Sequence, residues 1–162
     1  MMYLRIMLLA LITIMTIANS GQVLAETLED SQIERGKYLV RITGCNDCHT
    51  GNYLMSEGDV PEEEWLTGNP VGWRGPWGTT YGANLRTLVD TLTAEQWVAL
   101  TRSLKARPPM PWFNINELSE EDSLAMYEYI RYLGPAGEPA PAYVPPDQSP
   151  TTPYSDLTVR SD

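Results

Sequence analysis

The chain's one histidine and both of its cysteines fall within five residues, Cys45-Asn46-Asp47-Cys48-His49. Chance would place them in this order on the order of 1 time in 10,000, so the cluster is a strong signal. Two thiols three positions apart can each add across one vinyl group of the same porphyrin. The two thioethers hold the ring on the chain, and the adjoining imidazole is placed under the iron. Two other chemistries use part of the pattern. A CxxC redox pair needs no adjoining His, and a zinc site needs a fourth ligand where no further Cys or His exists. The pattern therefore points to one covalent haem c, with Cys45, Cys48 and His49 as cofactor-binding residues and His49 as an iron ligand.

Iron held by His49 takes a sixth ligand or keeps an open position. A second His is impossible here. Outside the N-terminal segment the methionines are Met55, Met110 and Met126. Met55 follows His49 too closely in sequence to reach the opposite face of a haem easily. Met126 falls inside a helical pattern, where core packing is the plainer role. Met110 sits in Pro108-Pro109-Met110-Pro111-Trp112, a stiff loop far enough along the chain to pass round a ring. Met110 is therefore the expected sixth ligand, and the thioether would favour ferrous iron. An open iron site is the alternative.

Something must present these groups. Ser31 to Thr43 has helical spacing in Ile33, Leu39 and Ile42, with Tyr38 beside them. Ser31 and Glu34 match a capping box, and Gly44 is placed to end the helix just before the motif. Gly36 in its middle costs about 1 kcal/mol relative to Ala, which suggests close approach of another element. Residues 51–84 hold seven glycines, three prolines and Trp65, Trp73 and Trp77 without a sustained period. So many large aromatics argue for a structured loop rather than a disordered linker. A short helix is expected around Arg86 to Thr91. Thr93 with Gln96 opens another, carrying Trp97, Leu100 and Leu104 on one face and ending near Ala106 before two prolines. Ser119 caps the last helix, with Tyr127, Ile130 and Leu133 facing the core and Gly134-Pro135 as its stop.

The two ends differ from this middle. Arg5 precedes thirteen largely apolar residues, Ile6 to Ala18, and Val23-Leu24-Ala25 places small side chains for cleavage after residue 25. The run is short for a spanning helix of about 20 residues, so a cleaved export signal over residues 1–25 is expected, with an uncleaved membrane anchor as the alternative. Seven of the thirteen prolines lie beyond residue 134. That composition predicts an extended Pro-rich tail over 136–162, lying on the surface of a domain spanning 26–135 or mobile. The net charge of −10 makes nucleic acid an improbable partner by repulsion, and a protein with a basic docking patch a natural one.

With these residues in place, the segment from about Glu34 to Leu133 resembles a class I c-type cytochrome. Glu34-Arg35-Gly36-Lys37-Tyr38-Leu39-Val40, Gly44-Cys45, Thr79-Thr80-Tyr81-Gly82-Ala83-Asn84-Leu85 and Met110-Pro111 are similar to cytochrome subunits of bacterial periplasmic dehydrogenases. The resemblance implies an all-α fold of three to five helices wrapped around one covalent haem. It implies a periplasmic location, since haem attachment in bacteria takes place outside the cytoplasm. By position in that family, Tyr81 and Asn84 would hydrogen-bond a haem propionate, and Arg74 or Arg86 would pair with one. Two departures stand out: such subunits often carry two or three haem domains, and their usual Asn-Leu-Thr-Pro reads Asn84-Leu85-Arg86-Thr87 here. The expected function is one-electron transfer between a dehydrogenase or other respiratory donor and a downstream acceptor, as a free shuttle or a fixed subunit, and not as an enzyme. A haem enzyme or gas-binding protein is the alternative if Met110 does not ligate.

Overall fold

The computed structural model describes residue 27 and residues 29–159. The expected export signal over 1–25 lies outside them. Among the described residues no helix is long and apolar enough to cross a membrane.

The first helix, α1, covers described residues 29–42. Residues 29 and 30 are already helical, so Ser31 sits inside the helix rather than capping it. Leu39 and Val40 are buried, while Tyr38 and Ile42 are exposed, so the apolar stripe is rotated from the expected one. Gly36 explains the rotation. A Cβ there would stand 2.0 Å from the carbonyl oxygen of Ala125 and 2.6 Å from Cβ of Tyr129. The backbone of α1 therefore lies directly on the last helix, and only a residue without a side chain permits it.

That last helix, α6, spans Glu120–Leu133. Ser119 caps it through a hydrogen bond from the amide of Asp122, as its sequence indicates. Ala125, Met126, Tyr127, Tyr129 and Ile130 from α6 meet Leu39, Val40, Leu66, Val89 and Trp97 in one core. Burying each of the large ones contributes about 1.5–3 kcal/mol. Helix α3 (Leu85–Asp90) and helix α4 (Ala94–Ser103) pack on α6. The α4 start is the expected capping box of Thr93 and Gln96. On α4, Trp97 Nε1 donates to the Ser123 carbonyl at 2.9 Å, and the hydroxyls of Thr101 and Ser123 bond at 2.8 Å. Helix α4 stops at Ser103, three residues earlier than its pattern suggests. Asn116, in helix α5 (Trp112–Asn116), donates 2.7 Å to the Thr101 carbonyl near that end.

Between the helices, helix α2 (Cys45–His49) is a single turn. Residues 50–84 form an ordered loop containing β1 (Gly72–Gly75) and β2 (Gly78–Thr80), paired antiparallel with Trp73 opposite Thr80. The Pro-rich end adds β3 (Tyr154–Asp156) parallel to β1, giving the order β2-β1-β3. This small sheet is a correction to the all-α expectation. Its strands are only three and four residues long, with glycines in β1 and β2, so no sustained alternation of polar and apolar residues announces them.

One polar cluster ties the long loop to the helices. Glu62 accepts from Lys37 Nζ at 2.5 Å and from the Tyr129 hydroxyl at 2.9 Å. Burial works against its charge, yet these bonds hold its carboxyl below the ordinary carboxylate range. A carboxyl depressed in the folded state stabilises above the unfolded value of about 4.3, and that contribution is lost as pH falls through the folded value. Glu62→Gln should therefore lower stability at neutral pH and flatten the acid arm of a stability-versus-pH curve measured by urea denaturation. Gly36→Ala should cost at least the upper end of the roughly 1–3 kcal/mol typical of overpacking, read from the same denaturation curves.

Candidate functional site

The site begins at Gly44. Its φ of 72° lies in the left-handed region that glycine enters freely, and it turns the chain from α1 directly into α2. One helical turn then carries Cys45, Cys48 and His49, so spacings of three and four place the three side chains along one face.

The imidazole is fixed from outside the helix. His49 Nδ1 lies 2.7 Å from the Ala83 carbonyl oxygen. Burial pushes the imidazole pKa down, against the opposing pull of the Ala83 bond, so the ring is neutral near pH 7. A neutral ring donating from Nδ1 leaves the Nε2 lone pair free, which is the arrangement of a metal-ligating histidine with a carbonyl behind it. Gly82 makes this possible. A Cβ there would stand 1.8 Å from the Cys48 carbonyl oxygen, so the 82–83 backbone lies against α2. The Gly68 amide donates to the His49 carbonyl at 2.8 Å, and the Asn69 amide donates to Gly82 at 3.0 Å.

Both thiols are free, and burial raises their pKa values, so they are held as neutral S–H groups. The nearby Asp47 carboxylate pushes both further up. This is the reverse of the low-pKa thiolate of a redox pair. Among the described residues no three His, Cys, Asp or Glu side chains gather to hold a metal ion by themselves.

Cys45, Cys48 and His49 open onto a cavity of about 400 Å³. Its walls are overwhelmingly apolar: Leu85 and Leu88 from α3, Trp97 and Leu100 from α4, and Ile115 and Met126 from α5 and α6. Met110 lines the same cavity, so the loop brings it to His49's chamber as its position suggests. Met126 also lines the cavity while buried in the core, and Met55 is 85% exposed and lines none of it.

The other expected site residues divide. Tyr81 lines the cavity, but its hydroxyl bonds Thr152 Oγ1 at 2.7 Å. Asn84, Arg86 and Arg74 do not line it, and their polar groups are taken up elsewhere. Asn84 caps α3 through the Thr87 amide and donates to the Ala136 carbonyl at 2.7 Å. Arg86 is buried and donates to the carbonyls of Glu63, Leu133 and Gly134, satisfying the C-terminal end of α6. Arg74 donates to Gln148 and Pro146 carbonyls of the tail and to the Thr79 hydroxyl. In place of these, the cavity has Trp73, whose buried indole Nε1–H has no hydrogen-bond partner. The same burial of an unpartnered indole N–H is found at Trp77, which does not line the cavity. The concentration of tryptophans in the Gly-rich loop was the one sequence signal for it.

The tail completes the site. Pro141 and Tyr143 line the cavity. Val144 and Thr79 exchange two backbone hydrogen bonds at 2.8 and 3.0 Å, and the Tyr143 hydroxyl donates to the Trp77 carbonyl at 2.8 Å. Composition alone allowed a mobile tail. Here it is a strap over the hairpin and the cavity mouth.

No family model, curated protein or solved structure matches this chain. Tyr143→Ala removes both the bond to Trp77 and the ring under Arg107, so the Thr79 and Val144 amides should exchange faster with deuterium while amides of α6 keep their protection.

Proposed function

We propose that the protein is a c-type cytochrome that carries one electron at a time, with a single haem c held covalently in this cavity. Cys45 and Cys48 would form the two thioethers, and His49 Nε2 and Met110 would be the iron ligands. The observation that carries the reading is the bond from His49 Nδ1 to the Ala83 carbonyl, which leaves a neutral ring's Nε2 as a ligand beside two protonated thiols. The apolar walls support it.

Bound there, the haem would supply a one-electron iron couple. The chain's own residues do the rest. Ala83 holds the imidazole in one tautomer and orientation. The leucine, isoleucine and tryptophan walls would keep water from a haem bound there, which together with a thioether ligand would favour the reduced state. Tyr143 and Pro141 narrow the opening. The N-terminal segment and the chemistry of haem attachment favour a periplasmic carrier between a respiratory donor such as a dehydrogenase and an acceptor.

Protein purified from cells competent for haem attachment should gain the mass of one haem that survives denaturation, and Cys45→Ala/Cys48→Ala should lose it. The oxidised protein should show the weak charge-transfer band of sulfur–iron(III) ligation, and Met110→Ala should abolish it. A band that survives Met110→Ala and disappears in Met126→Ala would assign the sixth position to Met126. A high-spin spectrum already present in the unaltered protein would replace the carrier with an open-site haem enzyme or gas-binding protein.

A further inference from the structure

Met110 is carried by a loop with little backbone bonding of its own. Three of residues 105–111 are proline, which has no N–H to donate. The Met110 amide donates to the Arg107 carbonyl at 3.3 Å, and the Trp112 amide donates to the Met110 carbonyl at 2.9 Å. Lys105 Nζ rests 3.4 Å from the centre of the Trp112 ring, which closes the loop across its base. Among the described residues, one hydrogen bond reaches residues 105–111 from outside residues 104–116. The Thr80 hydroxyl of β2 donates to the Pro108 carbonyl at 2.7 Å. Its other acceptor, the Trp73 carbonyl across the hairpin, is at 3.4 Å, so the single hydroxyl proton goes to Pro108. A second anchor comes from the tail, where Arg107 Cζ stands 3.9 Å from the centre of the Tyr143 ring. Tyr143 is itself fixed by its bond to the Trp77 carbonyl and by the Val144–Thr79 pairing. Gly78 admits that packing, since a Cβ there would stand 2.4 Å from the Val144 carbonyl oxygen and 2.9 Å from the Tyr143 ring.

Resting on the reading above, we infer that Thr80 is a positioning residue for Met110, and that Thr80 and Tyr143 together clamp the loop so that the Met110 sulfur stays at the sixth position of the iron. Both anchors act within three residues of Met110, at Pro108 and Arg107. Thr80, Met110 and Tyr143 all line the cavity, so the clamp closes around the chamber itself. A thioether is a soft ligand that favours ferrous iron. On ferric iron its hold depends most on how little ordering the loop must still undergo, and a loop already anchored at two points has little left to lose. The tail therefore bears on the sixth position through Arg107, without contributing a ligand.

Added imidazole competes with Met110 for ferric iron, so its apparent affinity reads how firmly the loop holds the sulfur. The oxidised holoprotein is titrated with imidazole while loss of the sulfur–iron(III) band is followed. Thr80→Val keeps a β-branched side chain in β2 and removes only the donor. It should bind imidazole about two- to ten-fold more tightly, the change that one net hydrogen bond makes. Thr80→Ser should restore the unaltered value. Tyr143→Ala should shift the affinity in the same direction from the tail side, and it decides the matter if circular dichroism shows Thr80→Val unfolded. Thr91→Val removes a hydroxyl that also donates to a backbone carbonyl, Leu88 at 2.7 Å, but away from the loop, and should change nothing. Independently of the iron, the Met110 and Trp112 amides should exchange faster with deuterium in Thr80→Val while amides of α6 keep their protection. Unchanged imidazole affinity in Thr80→Val and Tyr143→Ala, no rescue by Thr80→Ser, or an equal shift in Thr91→Val would overturn the clamp while leaving the carrier intact. So would a band that depends on Met126 instead of Met110. Absence of covalent haem, or of the sulfur–iron(III) band in the unaltered protein, would overturn the carrier and the clamp with it.

Discussion

The arrangement depends on one close backbone approach, that of residues 82–83 to helix α2. With no side chain at Gly82, the loop lies on the Cys48 carbonyl, and Ala83 reaches His49 Nδ1. Everything distinctive about the cavity follows from that contact. It chooses the imidazole tautomer, leaves the other ring nitrogen free on a residue that lines the chamber, and places the residues after it so that Asn84 can start α3. Through α3 it positions Leu88, and through Arg86 it joins the end of α6. A larger residue at position 82 would separate the loop from the motif, and the histidine would lose its fixed partner even if the helices still packed.

A second close approach, at Gly36, sets the frame on which this rests. Placing α1 on α6 with backbone against backbone rotates α1 so that Leu39 and Val40 turn inward. The chain leaving α1 through Gly44 then enters the motif at a fixed distance from the core. Glu62, bonded to Lys37 and Tyr129, pins the intervening loop to the same crossing. The two glycines thus do related work: one brings helices together, and the other brings a loop to the site.

The tail changes how the surface is read. Composition describes it as Pro-rich and extended, and it is extended, but its backbone is paired with β1 and with Thr79. Proline leaves few conformations to lose on ordering, so a short strand and a few side-chain bonds suffice to hold it. Its carbonyls take up Arg74, its Thr152 takes up Tyr81, and its Tyr143 sits at the mouth under Arg107. Three residues with an expected propionate role, Arg74, Asn84 and Arg86, instead donate to backbone carbonyls that join the tail, the long loop and the end of α6. Trp73 lines the chamber, with its indole N–H buried and unpartnered.

Local chemistry was legible in the residues themselves. The spacing of Cys45, Cys48 and His49, the turn at Gly44, the capping box at Thr93 and the cap at Ser119 each depend on neighbours within a few positions. Short-range geometry is written in short-range sequence. The expected closeness at Gly36 was also visible, because an interior glycine in a helix needs a reason. Only the tertiary structure decided which side of α1 is buried, which carbonyl orients His49, that Met110 and Met126 share one chamber, and which donors remain free. Those outcomes depend on pairings across 34 to 89 positions, such as His49 with Ala83 and Gly36 with Ala125. No local pattern encodes them, because they arise when several elements compete for the same carbonyls and the same space.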